Sequence, residues 1–397
     1  MKFLRKRLDS VKHNFEKGGK WEKLHYAFEA FETFLFTPNV TAPLKGTQIR
    51  DAVDLKRLMV TVIIAMIPCL IFGIWNVGHQ HFLAIGQEGE TGVKFAIGAS
   101  LVLPIIIVSY ASGLTVEFLF SSFRKHSVNE GFLVSGLLIP LVLPPTVPLW
   151  QVAVATIFAV VIGKEAFGGT GMNVFNVALT ARAFLYFAYP SQLSGEIWTY
   201  LGEGTQTVSG YSGATPLAIA SQSTGNVISD LNSFGTGWGE GIYSFWNLFW
   251  GGIPGSIGET STLMCLIGAA ILIITGVGSW KIIFSVFSGA YLMGLFLNAV
   301  GSTPMTEIPA YYHLVTGGLA FGAVFMATDP VTAPQTEFGK WFYGLFIGMF
   351  TILIRVFNPA YPEGIMLSIL LMNVFAPLID YFVVSANKKR RLKRATV

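Results

Sequence analysis

The chain stays polar through residue 56 and then turns apolar in long runs, at about 57–76, 94–120, 131–144, 148–163 and 174–189. A polar stretch at about 190–260 intervenes, and five more runs follow at about 261–277, 280–300, 313–327, 340–356 and 364–385. About 20 apolar residues in a helix cross the hydrocarbon core of a bilayer, so the pattern predicts about ten transmembrane helices. Several runs are short or broken by Gly and Pro, most clearly the third, which holds Pro140, Pro144 and Pro145. Broken spans are tolerated where the freed backbone faces protein or a cavity, so these breaks point at a site.

This divides the chain into an N-terminal region (1–56), a first five-helix half (57–189), a loop (190–260), a second half (261–385) and a basic tail (386–397). Within the N-terminal region, Glu16-Lys17-Gly18-Gly19-Lys20 separates two amphipathic stretches. The second, Trp21 to Phe36, places Leu24, Phe28, Phe31 and Leu35 at helical spacing, suited to a membrane surface or a partner. Phe175-Asn176-Val177-Ala178 and Phe357-Asn358-Pro359-Ala360 resemble each other, each about thirty residues beyond a proline-broken span. Five spans separate them, so the copies run in opposite directions, as in an inverted repeat that holds ligands between its halves. Chance similarity of Gly- and Pro-rich apolar segments is the competing account.

Composition agrees with a membrane protein. Of the 397 residues 52% are hydrophobic and 12% charged, about half the charge of a soluble domain. Twelve of the 26 Lys and Arg lie between Met1 and Arg57, and six between Lys388 and Arg394. Basic ends flanking apolar spans read as cytoplasmic anchors near anionic lipid, not as nucleic-acid-binding tails. With both termini inside, Arg124-Lys125, Lys164, Lys281 and Lys340 all fall on the cytoplasmic side. No Lys or Arg occurs between Arg182 and Lys281, while Glu196, Glu203, Asp230, Glu240 and Glu259 do, so the loop is external. Cys69 and Cys265 sit singly inside apolar runs and read as small buried hydrophobes. His79 and His81 read as a solvated loop pair, and no metal-ligand set is discernible.

The most distinctive motif is Tyr211-Ser212-Gly213-Ala214-Thr215-Pro216-Leu217 in the external loop. Pro216 is set to open a helix, which makes Thr215 its N-cap, and a helix N-terminus also favours phosphate. Ser-Gly-Ala-Thr in such a loop resembles the flavin-attachment motif of bacterial redox-driven ion pumps. Further stretches carry the likeness: His13-Asn14-Phe15-Glu16-Lys17-Gly18-Gly19-Lys20, Arg50-Asp51-Ala52-Val53-Asp54-Leu55-Lys56-Arg57 and Arg124-Lys125-His126-Ser127-Val128-Asn129-Glu130-Gly131-Phe132. So do Lys164-Glu165-Ala166-Phe167-Gly168-Gly169-Thr170-Gly171, Ile253-Pro254-Gly255-Ser256-Ile257-Gly258-Glu259, Met326-Ala327-Thr328-Asp329-Pro330-Val331 and Asn358-Pro359-Ala360-Tyr361-Pro362-Glu363-Gly364. Together they resemble the B subunits of the sodium-translocating NADH:quinone oxidoreductases, with the D subunits of Rnf complexes as sisters.

The resemblance implies covalent FMN on Thr215, with Ser212, Gly213 and Ala214 completing the motif, and non-covalent riboflavin toward the inner side. It implies quinone reduction near the cytoplasmic end and sodium export. The setting is a bacterial inner-membrane complex of six subunits, whose partners deliver electrons from NADH. Asn173 and Asn176 offer donors and acceptors for a flavin edge, or serve as helix caps and interhelical bonds. Arg182 is a cofactor contact or a snorkelling anchor. Glu117 and Asp380 are candidate ion-path carboxylates, or rim residues. Gly113, Glu130, Gly131 and Phe132 are quinone candidates, with ordinary helix packing as the alternative; Leu114 stands where the family often has a second glycine. The run Gly168-Gly169-Thr170-Gly171 lacks the ending of a phosphate-binding P-loop and reads as close packing. A cofactor-free secondary transporter would share the broken spans and buried acids but gives no account of the threonine motif.

Overall fold

A computed structural model describes residues 2–16, 18–36, 55–125, 128, 131–195, 197–202, 207–208, 211–223, 225–233, 241–301 and 303–395. Among them the regular structure is helical, with no strand. Helices α1 (Lys2–Lys12) and α2 (His25–Leu35) precede α3 (Leu55–Ile85), α4 (Thr91–Arg124), α5 (Gly131–Leu141), α6 (Leu149–Gly163) and α7 (Val177–Ala188). The long loop carries the short α8 (Pro216–Gln222), α9 (Val227–Ser233) and α10 (Phe245–Trp250). Then come α11 (Thr262–Ile274), α12 (Trp280–Val300), α13 (Tyr312–Val315), α14 (Leu319–Phe321), α15 (Glu337–Phe357) and α16 (Ile365–Ala395), with α14 widening into a π turn at Gly322–Met326.

All ten apolar runs contain helix, but they are not alike. Six helices (α3, α4, α6, α12, α15 and α16) are long and apolar enough to cross a membrane. The helices α5, α7 and α11 have 11, 12 and 13 residues, too few to span about 30 Å at 1.5 Å per residue. The expected breaks are therefore real, and their backbone is satisfied by protein. Beyond α5, the carbonyls of Leu141 and Leu143 accept from Gly258 N (2.7 Å) and Ile257 N (3.1 Å), in the stretch leading into α11. That stretch also presses on α3, where a Cβ at Gly73 would lie 1.9 Å from Ile257 O.

The helix α3 packs on α4, α5 and α11, α4 on α6, α6 on α7, α12 on α15, and α15 on α16. Small residues bring α12 and α15 into backbone contact: a Cβ at Gly289 would meet Leu345 O at 2.2 Å, and one at Gly348 would meet Val286 O at 2.2 Å. Lys56 at the start of α3 donates to Thr33 of α2, and Lys281 of α12 bridges Glu337 of α15 at 2.6 Å. Asp380 on α16 joins the same end, the one at which α3 starts and α16 finishes; the described parts of the 190–260 loop lie at the other.

One expectation changes. The helix α3 runs on to Ile85, so His79 and His81 occupy its last turns and not a solvated loop. His81 Nδ1 bonds Tyr200 O at 2.9 Å, and His79 Nδ1 bonds Lys94 Nζ at 3.1 Å. Polar residues extend α3 because they find partners in the distant loop: Asn76 Nδ2 donates to Ile253 O at 2.9 Å. Cys69 of α3 and Cys265 of α11 are both buried, with sulfurs 3.9 Å apart.

Candidate functional site

At the termini end a cleft opens between α3, α5 and α11 and the segments that precede α7 and α15. Its walls are apolar, with Met59, Val62, Leu138, Leu272 and Phe325. Its polar side holds Thr170, Asn173, Asn176, Asp329 and Lys164. The segment after α6 builds that side. It makes one 3-10 turn (Glu165–Phe167) and then passes Gly168, Gly169 and Gly171, at φ of 118°, 99° and 92°. Side chains rarely tolerate this left-handed region, and no neighbour crowds Gly168 or Gly171 closely. The glycines therefore serve the turn, and not close packing as expected.

Asn176 caps α7, its Oδ1 accepting from Ala178 N (3.0 Å) and Leu179 N (3.2 Å), while its Nδ2 donates to Asp329 Oδ2 at 3.4 Å. It is a cap and a cleft residue at once. Asn173, which lines the cleft, donates from Nδ2 to Phe175 O at 3.0 Å. Thr170 Oγ1 is buried with no hydrogen-bond partner among the described residues. Such a group costs free energy unless something supplies the bond. A flat, mostly apolar heterocycle with a polar rim fits this set: apolar walls for its faces, two amides and an orphaned hydroxyl for its edge.

The remaining candidates disperse. Gly131 lines the cleft, whereas Glu130 lies outside the described residues. Phe132 is fully buried, its ring filling the space over Gly113, where a Cβ would lie 1.8 Å from Phe132 Cζ. Tyr110 OH and Ser109 Oγ, both on α4, donate to Leu133 O (2.6 Å) and Gly136 O (2.9 Å) and lock the contact. Gly113 and Phe132 thus form a closed α4–α5 seam. Glu117 is buried on α4 and paired with Lys164, so it is no rim residue. Asp380 accepts from Gln335 N (2.7 Å), Thr336 N (3.0 Å) and Thr336 Oγ1 (2.6 Å), and so fixes the entry to α15. Lys164 escaped sequence reasoning, because a lysine ending an apolar run looks like a cytoplasmic anchor.

At the loop end a smaller pocket gathers Trp198, Thr215, Pro254, Glu259, Gly318 and Glu363. Thr215 is the N-cap of α8, with Oγ1 accepting from Ala218 N at 3.2 Å. Among the described residues no bond uses its own hydroxyl proton, so the oxygen is available for esterification. Ser212 Oγ accepts from Ala214 N at 3.2 Å, Tyr243 OH donates to Ala214 O at 2.7 Å, and Gly213 is buried between them. Tyr211 ties the motif to α3: its hydroxyl bonds Thr199 Oγ1 (2.7 Å) and Gln80 Oε1 (3.1 Å). Burial pushes the Tyr211 phenol up to about 12, against the opposing pull of the Thr199 bond.

Arg182 belongs to this end and not to the cleft of Asn173 and Asn176. From α7 its Nη1 donates to both carboxylate oxygens of Glu259, at 2.7 and 2.9 Å, both side chains buried. Beside it, Arg355 donates to His313 O (2.7 Å), Thr316 O (2.8 Å) and Glu363 O (3.1 Å), while Glu363 accepts from Gly318 N.

Interrupted helices, buried charge pairs and a cleft near each end are the build of an integral membrane protein that acts on something held within its bundle. The chain belongs to the NQR2, RnfD, RnfE family, whose model matches residues 44–389. It is 47% identical over 413 residues to the B subunit of the Na(+)-translocating NADH-quinone reductase of Ectopseudomonas mendocina, covering 98% of each chain. The B subunit of the Chromohalobacter salexigens reductase is 47% identical over 417 residues (98% of this chain, 96% of the relative), and that of Azotobacter vinelandii 46% over 413 residues (98% of each).

Proposed function

We propose that this chain is the flavin-carrying membrane subunit of a sodium-translocating NADH:quinone reductase. Flavin supplies one-electron and two-electron transfer: FMN esterified through its phosphate to Thr215, and riboflavin in the cleft of Asn173 and Asn176. The observation that carries this reading is the pairing of an N-cap threonine whose hydroxyl proton is uncommitted with a separate apolar cleft whose buried Thr170 hydroxyl has no partner among the described residues. Near-identity of length with relatives named as B subunits of that reductase favours this assignment over an Rnf-type subunit.

In this reading Asn173, Asn176 and Thr170 orient the ring edge, while Met59, Leu138 and Phe325 exclude water from its faces. Tyr211 and Tyr243 hold the Ser212–Thr215 turn so that one hydroxyl faces the modifying enzyme. Quinone is reduced at the termini end, where Gly131 borders the cleft and Gly113 and Phe132 hold α4 to α5 behind it. Sodium leaves toward the loop, past Glu117. Asp380, held by three donors, shapes the entrance and does not carry the ion. The ten apolar segments form two inverted five-helix halves, a reading supported by the second segment packing on the fourth, and the fourth on the fifth, in each. The protein sits in the bacterial inner membrane with both termini cytoplasmic. Five further subunits bring electrons from NADH, since nothing in this chain reads as a dinucleotide-binding fold.

Mass spectrometry of the peptide containing Thr215, after in-gel flavin fluorescence of the denatured chain, tests the assignment. FMN mass on Thr215 is expected. An unmodified peptide from a host that carries the attaching enzyme would return the chain to the cofactor-free transporters.

A further inference from the structure

One buried cation stands between two neighbours. Lys164 is 3% exposed, borders the cleft of Asn173 and Asn176, and pairs with Glu117 on α4. The segment does not depend on this pair for its anchorage. Arg124 already ties it to α4, through Glu165 Oε2 (3.0 Å) and Glu165 O (2.8 Å). Nor are buried pairs efficient stabilisers, since well-packed apolar substitutes are often as good. The two cations also differ in kind. Arg124 is a planar fork committed to its partner's side chain and backbone, whereas Lys164 is a point charge on a flexible stem, able to swing between two anions.

We propose that Lys164 is the positioning residue through which charge in the cleft is felt at Glu117. The proposal rests on the cleft holding the non-covalent flavin. One-electron reduction of a flavin held there, without protonation, would add one negative charge. The ammonium is drawn toward the cleft, and Glu117, left with one cation fewer, takes one sodium ion. When the electron passes to quinone the ammonium returns to Glu117 and the ion is released. One charge moves in and one ion answers it, so the bundle never holds an uncompensated charge, which a low-dielectric interior would penalise heavily.

The test is a redox titration of the non-covalent flavin in the purified complex, in sodium and in potassium chloride at equal ionic strength. Sodium is expected to favour the reduced form about tenfold in the unaltered protein, equivalent to about 59 mV for one electron. In Lys164→Gln the sodium effect should fall below about twofold while Lys164→Arg keeps part of it. Because Lys164→Gln leaves Glu117 buried beside a neutral group, the paired change Lys164→Gln with Glu117→Gln guards against a folding defect, and it too should lose the effect. A purely structural lysine would change stability without altering the sodium sensitivity. An unaltered complex that releases no flavin on acid extraction defeats the reading of the cleft and this proposal with it. Normal flavin content with an undiminished sodium effect in either variant defeats the proposal alone.

Discussion

Replacing Glu259 with glutamine should loosen the loop end of the bundle far more than a change of one atom suggests. At 2.7 Å and an effective dielectric constant of about 20, the attraction between Arg182 and Glu259 is about 6 kcal/mol before solvation is counted. Burying the two ions costs several kcal/mol each, so the intact pair contributes little net stability. Removing one partner is different, because Arg182 then stays buried without its counter-charge, at a cost of about 3–5 kcal/mol. Glutamine still offers one acceptor, which places the expected loss near the lower end. Hydrogen exchange of the assembled complex, read by mass spectrometry on peptides covering 177–188 and 253–265, should quicken by about a hundredfold or more. The joint change Arg182→Met with Glu259→Leu removes both charges and should stay within about tenfold of the unaltered protein. Exchange in Glu259→Gln within about threefold of normal, or a joint variant as loose as the single one, would refute the reasoning.

Thr215→Asn keeps an N-cap while removing the attachment oxygen, so the covalent fluorescence should vanish with α8 protected as before; Thr215→Ala should lose both, with about fivefold faster exchange for about 1 kcal/mol of cap. Asn176→Ala removes the α7 cap and the bond to Asp329 and should weaken retention of the non-covalent flavin by about tenfold, measured as release into detergent buffer. Gly289→Val drives a side chain into Leu345 O and should cost at least about 1–3 kcal/mol, seen as a lower yield of assembled complex, whereas Gly92→Ala, in open space in the first turn of α4, should not impair assembly.

The sequence disclosed whatever depends on local pattern. Long apolar runs gave α3, α4, α12, α15 and α16, and prolines marked where α5 would stop. Thr215 was legible as a cap because Pro216 follows it. Hidden from it were features that depend on partners far along the chain. Asn76 and Gln80 look like the end of a span, yet Ile253 and Tyr211 satisfy them and α3 continues. Arg182 reads in the sequence as a cofactor contact or a snorkelling anchor and Lys164 as an anchor, and only the fold sets Glu259 and Glu117 against them. The glycines after Lys164 invited a packing explanation, because their positive φ angles are invisible in a list of residue types.

The acceptance of backbone bonds by Leu141 and Leu143 from Gly258 and Ile257 has a bearing on biosynthesis. The first pair leaves the ribosome more than a hundred residues before the second. During that interval the two carbonyls sit beyond a half-length helix with no protein donor, and in hydrocarbon each such group costs several kcal/mol. Water, lipid headgroups or the insertion machinery must hold them until residue 258 arrives. A nascent chain arrested before residue 253 should accordingly be open to proteases around 141–148. Lesions in 253–261 should first appear as failed insertion, before any electron has been asked to move.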